Sequence, residues 1–209
     1  MPSPLPAVSL DSRLRVLHCD ATVAVAEKGA VCIVIWRGAV GKDSFERQRS
    51  GLDEVVRNHP RGAGFVCVIE KTAKPPDDVH RRASAVMVDS HGERLRCLGC
   101  VVEGDGFVAS VTRGAVGAIL LVRSHRKTPV RIVATVPLAV SWIAEHMEIP
   151  SVREVERAVE ELRSLLPPVI VPPKSNPESR ETRPGTSTDP SRRMRFGRSR
   201  PTPSATSSK

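Results

Sequence analysis

The sequence has no tyrosine, two tryptophans and four phenylalanines, so aromatic residues make up only 3% of its 209 positions. This scarcity disfavours surfaces that bind nucleic acids by base stacking and aromatic cages that hold cations. The longest uncharged stretch, 132–144, contains a proline and is too short to span a bilayer. No basic residue precedes an apolar run in the first ten positions, so we expect no secretory signal.

Disulfide bonds are not expected either. The five cysteines are an odd number in a chain for which we expect no signal, which predicts reduced thiols and a cytoplasmic location. Cys97 and Cys100 have the spacing of a metal or redox motif. They fall within a predicted strand, however, where residues three apart point to opposite faces. We therefore expect buried structural thiols, and predict no metal site and no cofactor.

The formal net charge of +9 is concentrated near the C-terminus. Residues 174–209 hold nine basic and three acidic residues, and the segment from 167 onward is rich in proline, serine and arginine. Such a composition predicts a disordered tail over 167–209, and residues 1–12 are predicted to be flexible. Charge alone would allow weak contact with nucleic acid or anionic lipid, although a merely solubilising tail is the simpler interpretation. The arginines that would make this contact are Arg192, Arg193, Arg195, Arg198 and Arg200.

Between these ends, strand-like apolar runs alternate with stretches of helical spacing. The predicted order is β-β-α-β-α-β-α-β-α over residues 13–149, followed by an amphipathic helix over 150–166. This alternation predicts an α/β fold with a mostly parallel sheet, to which the first hairpin adds an antiparallel edge strand. The predicted strands are 21–26, 31–36, 64–70, 95–102 and 130–136, and the third predicted helix covers 108–122. The apolar stripe of the terminal helix predicts packing within the chain, with a homodimer seam as the alternative.

The element order, together with the stretches VIWRG at 34–38, GFVCVIE at 64–70, VEGDGF at 102–107 and VAT at 133–135, resembles a bacterial STAS-like group. The STAS fold is that of the anti-sigma-factor antagonists. The resemblance implies a non-enzymatic regulatory module that binds a protein partner through the loop after the third predicted strand and the helix that follows. On this chain, the partner-binding residues would be Lys71, Thr72, Lys74, Asp77, Asp78, His80 and Arg81.

The phosphorylatable Asp-Ser-Ser-Gly turn of that family is absent here. The corresponding stretch reads EKTAKPPDD at 70–78, in which Thr72 is the only hydroxyl residue and does not match in position. A switch based on phosphate charge is therefore not transferred to this chain.

Two other functions remain open. A small anion, a nucleotide or a lipid would bind at glycine-rich turns, through Gly38, Gly41, Lys42, Gly104 and Gly106. The first turn lacks the spacing of a phosphate-binding loop, and a plain turn with Asp43 as helix cap is simpler.

An enzyme of unspecified reaction would use Cys100 or acids at the carboxyl edge of the sheet. Helix caps and solvated turns explain the same acids more simply. These acids are Glu70, Asp77, Asp78, Glu103 and Asp105.

Overall fold

The computed structural model describes residues 13–74, 76–104, 114 and 128–168, and within them a mixed α/β fold built on a six-stranded sheet. The strands are β1 (Arg15–Cys19), β2 (Val23–Lys28), β3 (Val31–Trp36), β4 (Ala63–Ile69), β5 (Leu95–Val102) and β6 (Val130–Val133). The helices of the described ranges are α1 (Lys42–Asn58), α2 (Asp78–Ser90), α3 (Val136–His146) and α4 (Val152–Leu165), with a 3₁₀ turn at Gly92–Arg94.

The strands lie in the order β1-β2-β3-β4-β5-β6, antiparallel from β1 to β3 and parallel from β3 to β6. The hairpin of β2 and β3 is confirmed, and Gly29 in its turn adopts a positive φ of 54°. Its placement at the edge of the sheet was wrong, because β1 pairs with the outer side of β2. The sequence analysis missed β1 because this five-residue strand carries polar Arg15 and His18 and an exposed Val16.

The middle of the sheet is buried on both faces, as the uninterrupted apolar run of β3 predicts. One face of β3 contributes Ile33 and Ile35 to a core that α3 and α4 cover. The opposite face contributes Cys32 and Val34 to a second core, which α1 and α2 cover. The two sides of the sheet therefore have separate covering layers.

Helix α4 covers the first face with its apolar stripe. Val155, Val159 and Leu162 have no exposed surface, and the helix packs on α3, β2 and β3. Ser151 caps the helix by accepting a hydrogen bond from the Glu154 amide at 3.1 Å, as the sequence indicates. Packing within the chain is thus confirmed, and this stripe is not available as a homodimer seam.

Several predicted features lie outside the described residues. They are the flexible segment 1–12, the helix at 108–122, Asp105, Gly106, and the basic tail from 169 onward with Arg192, Arg193, Arg195, Arg198 and Arg200. Within the described ranges, no helix combines the length and the apolar character needed to cross a bilayer.

We predict that Leu162→Ala destabilises the protein by about 2–5 kcal/mol, because it leaves a cavity between α4 and the sheet. Leu165→Ala, on the same helix, is the matched control. Leu165 is 51% exposed, so its loss should cost less than about 0.5 kcal/mol. Chemical denaturation of both variants measures the two free energies of unfolding, and equal losses would contradict the packing described here.

Candidate functional site

Three parallel strands end side by side at the carboxyl edge of the sheet, where open α/β proteins bind ligands. Trp36 of β3 pairs in register with Ile69 of β4, and Ile69 pairs with Val102 of β5. The residues that follow these three positions are Arg37, Glu70 and Glu103. Each of these three buried strands is therefore followed directly by a charged residue.

Arg37 and Glu70 form a largely buried, two-pronged ion pair. Nε of Arg37 donates to Glu70 Oε2 at 2.7 Å and Nη2 donates to Oε1 at 3.0 Å, while the Glu70 residue is only 9% exposed. The hydrogen bonds to Glu70 raise the pKa of the Arg37 guanidinium. Nη1 of Arg37 donates to the carbonyl oxygens of Leu166 and Pro167, each at 3.0 Å. Arg37 thus also holds the segment that directly follows α4.

Arg163 of α4 connects the two strand-end acids. Its Nη2 donates to Glu103 Oε1 at 2.5 Å, and its Nε lies 3.2 Å from Glu70 Oε1. The expectation that Glu70 and Glu103 are caps or solvated turn residues is wrong, because both are held by guanidinium groups. Sequence reasoning missed Arg37 and Arg163. The charged residue directly after a buried strand was a usable signal for Arg37, whereas no local signal marked Arg163 on α4.

The loop after β4 and the start of α2 carry the predicted partner-binding residues. Asp77 is the N-cap of α2 and accepts from the His80 amide at 2.8 Å and from His80 Nδ1 at 2.8 Å. These hydrogen bonds, the backbone one first, lower the pKa of Asp77. Asp78 forms an ion pair with Arg81 one turn further along α2. Both carboxylates are therefore engaged in building the start of the helix.

The same region also exposes basic side chains to solvent. Lys71, Thr72 and Lys74 are exposed in the loop, and Arg82 is exposed on α2. Two large apolar side chains lie on the same outer side of α2, with Val79 66% and Val86 55% exposed. Val79, Arg82 and Val86 are three and seven residues apart, which places them along one face of the helix.

The glycine-rich turn after β3 is occupied by bonds within the chain. Gly38 N–H donates to the Thr22 carbonyl at 3.1 Å, and Gly41 N–H donates to Ser44 Oγ at 2.9 Å. Asp43 is not the cap of α1, because Gly41 is the N-cap and Asp43 lies in the first turn. Lys42 is the first residue of the helix and is exposed. The two glycine amides are thus already bonded rather than directed at an anion.

The second glycine turn is described only in part. Gly104 follows β5 with a φ of 108°, a conformation that favours glycine. The other glycine proposed as a ligand there, Gly106, lies outside the described residues.

A cavity of ≈110 Å³ lies on the α1/α2 side of the sheet and reaches the loop before α2. We call it the α1–α2 cavity. Its described wall is mostly apolar and consists of Trp36, Val40, Phe45, Gln48, Phe65, Cys67, Ile69, Ala73, Lys74, Pro76, Arg81, Ser84, Met87, Val88, Leu98 and Cys100. Two of the predicted partner-binding residues, Lys74 and Arg81, therefore line this cavity.

Two thiols face each other in the wall of the α1–α2 cavity. Cys67 of β4 and Cys100 of β5 are register partners. Their hydrogen bond, and then burial, raise the pKa of the Cys67 thiol well above its usual value. Cys97 belongs to the core on the other face, which confirms that the Cys97–Cys100 spacing does not form one site. All five cysteines are free, and no metal-binding cluster of His, Cys, Asp or Glu occurs among the described residues.

Comparison of this chain with protein-family models, with curated proteins and with solved structures finds no match in any of the three.

We predict that Glu70→Gln destabilises the protein by about 3–5 kcal/mol, because two guanidinium groups lose a buried counter-charge. Glu160→Gln is the matched control, since the Glu160 side chain is 62% exposed and contacts the same Arg163. Its loss should cost less than about 1 kcal/mol. Urea denaturation compares the two variants, and a Glu70→Gln cost no larger than the control's would show that the network does not hold α4 in place.

Proposed function

We propose that this domain is a non-enzymatic, STAS-like regulatory module that binds a protein partner. The docking surface comprises the loop 71–77 and the exposed face of α2. The observation that carries the proposal is the pair of exposed valines, Val79 and Val86, on the element that the resemblance implies as the partner-binding face. Exposed apolar side chains rimmed by charged ones are typical of protein-binding surfaces.

The charges around these valines favour an acidic partner. Asp77 and Asp78 are engaged within the chain by His80 and Arg81. Lys71 and Lys74 are exposed in the loop before α2, and Arg82 is exposed on the same helix face as the valines. A complementary segment would present two aliphatic side chains to Val79 and Val86 and carboxylates to these cations. We therefore propose an acidic amphipathic helix of a regulatory protein as the occupant.

The geometry of the strand-end acids supports binding rather than catalysis. Glu70 and Glu103, which the enzyme hypothesis would use, are each bonded to arginine side chains. Their carboxylate oxygens are occupied by guanidinium donors, so they are less available for contact with a substrate.

We predict that Val79→Ser and Val86→Ser weaken the partner complex by about tenfold or more, because they remove the apolar centre of the surface. A photo-crosslinking residue at position 86 of the full chain would first identify the partner in cells. The purified partner is then titrated against each variant by calorimetry. Asp77 and Asp78 are poor probes, because changing them also disturbs the start of α2.

Leu138→Ser is the matched control, since Leu138 is 54% exposed on α3. It should leave the affinity unchanged, while Arg82→Glu should weaken binding most at low salt. A partner that binds the Val79→Ser and Val86→Ser variants as tightly as the unsubstituted chain would refute this surface.

A further inference from the structure

The α1–α2 cavity is large enough for a small apolar group. An apolar cavity of about 150 Å³ accepts the six carbons of benzene, so ≈110 Å³ accommodates about four or five carbon atoms. Two small side chains, Cys67 and Cys100, stand as neighbours in its wall, where larger residues would fill the space. The cavity also reaches the surface, because exposed Lys74 lies on its rim.

The uncharged polar groups of the described wall have their partners within the chain. Trp36 Nε1 donates to Gln48 Oε1 at 2.7 Å, and Gln48 Nε2 donates to Met87 Sδ at 3.6 Å. Ser84 Oγ donates to the His80 carbonyl at 2.8 Å. The free thiols of Cys67 and Cys100 are neighbours on adjacent strands. The interior therefore favours an apolar group over water or a sugar.

The charged groups of the described wall are both cations, Lys74 and Arg81. Arg81 is partly compensated by its ion pair with Asp78. Lys74 is exposed at the rim and presents three N–H donors on a flexible chain. An apolar interior beneath a cationic rim is complementary to a molecule with one apolar end and one anionic end.

We infer that the α1–α2 cavity binds a small amphipathic monocarboxylate. Its apolar body of about four or five carbons occupies the space beside Cys67 and Cys100, and its carboxylate reaches Lys74 and Arg81. This site shares Lys74 with the docking surface but does not include the exposed valines Val79 and Val86. Its occupancy is measured on the protein alone, so it can fail while the protein-partner proposal stands, and the reverse.

Tryptophan fluorescence tests the inference directly, because Trp36 lines the cavity while Trp142 is buried in the other core. In a Trp142→Phe background, Trp36 is the sole tryptophan of the full chain. Titration with hexanoate should give a saturable change in emission, with an affinity at least about tenfold higher than that of hexan-1-ol. No saturable change with hexanoate up to ~10 mM would overturn the inference. Equal affinities for hexanoate and the alcohol would overturn it as well.

The chain offers matched control residues for the cationic rim. Lys74→Met and Arg81→Met should each lower the hexanoate affinity by about five- to tenfold and leave the hexan-1-ol affinity unchanged. Lys71→Met and Arg82→Met remove neighbouring cations that are not part of the described wall, and should leave both affinities unchanged. Equal losses in the two sets would indicate nonspecific attraction by net charge and would contradict the site.

The number of carbons in the carboxylate tests whether its apolar body fits the α1–α2 cavity. From butanoate to decanoate, affinity should rise to about five or six carbons and then fall, because the volume of the cavity is limited. Cys67→Met, which extends a side chain into the cavity, should abolish the fluorescence change. A steady rise through decanoate, or binding that survives Cys67→Met, would indicate adsorption elsewhere and overturn the inference. If Trp142→Phe fails to fold, ¹H–¹⁵N spectra of the unsubstituted chain provide the same titrations.

Discussion

Burial of β3 and β4 on both faces is the constraint on which the rest of the structure depends. A sheet with two apolar faces needs two covering layers, and the chain supplies them unequally. On one face, α3 and α4 pack directly on the sheet, and α4 places Val155, Val159 and Leu162 in full burial. On the other face, α1 and α2 leave the α1–α2 cavity between them. Binding is therefore expected on the second face.

The ion pairs at the carboxyl edge of the sheet hold the end of α4, which covers the first face. Arg37 and Glu70 follow adjacent strands, and Arg163 reaches them from α4. Because Arg37 also binds the carbonyls of Leu166 and Pro167, the end of α4 is held over the strand ends. The edge that provides ligand sites in many α/β proteins carries ion pairs within the chain here.

Much of the fold could be predicted from local patterns. Periodicity located the hairpin, the buried strands and α4, whereas the cap predicted at Asp43 was wrong because Gly41 is the N-cap. The features that local patterns did not predict depend on contacts between residues far apart in the sequence. Strand β1 is short and polar, and its Arg15 pairs with Glu27 and Glu54, which are 12 and 39 residues away. No local pattern indicates these pairs. The pairing of Glu70 with Arg163 and the meeting of Cys67 with Cys100 follow from sheet register, which no local pattern encodes.

The central claim is that the sheet is tightly packed around Cys97 beneath α3, whereas the opposite face is accessible through the α1–α2 cavity. Cys97 has no exposed surface, while Cys67 and Cys100 line the cavity. Site-resolved mass spectrometry of the native protein treated with a small neutral thiosulfonate reports the modification rate of each thiol. The account predicts that Cys67 or Cys100 is modified well before Cys97. Modification of Cys97 first, or of all three at one common rate set by global unfolding, would contradict it.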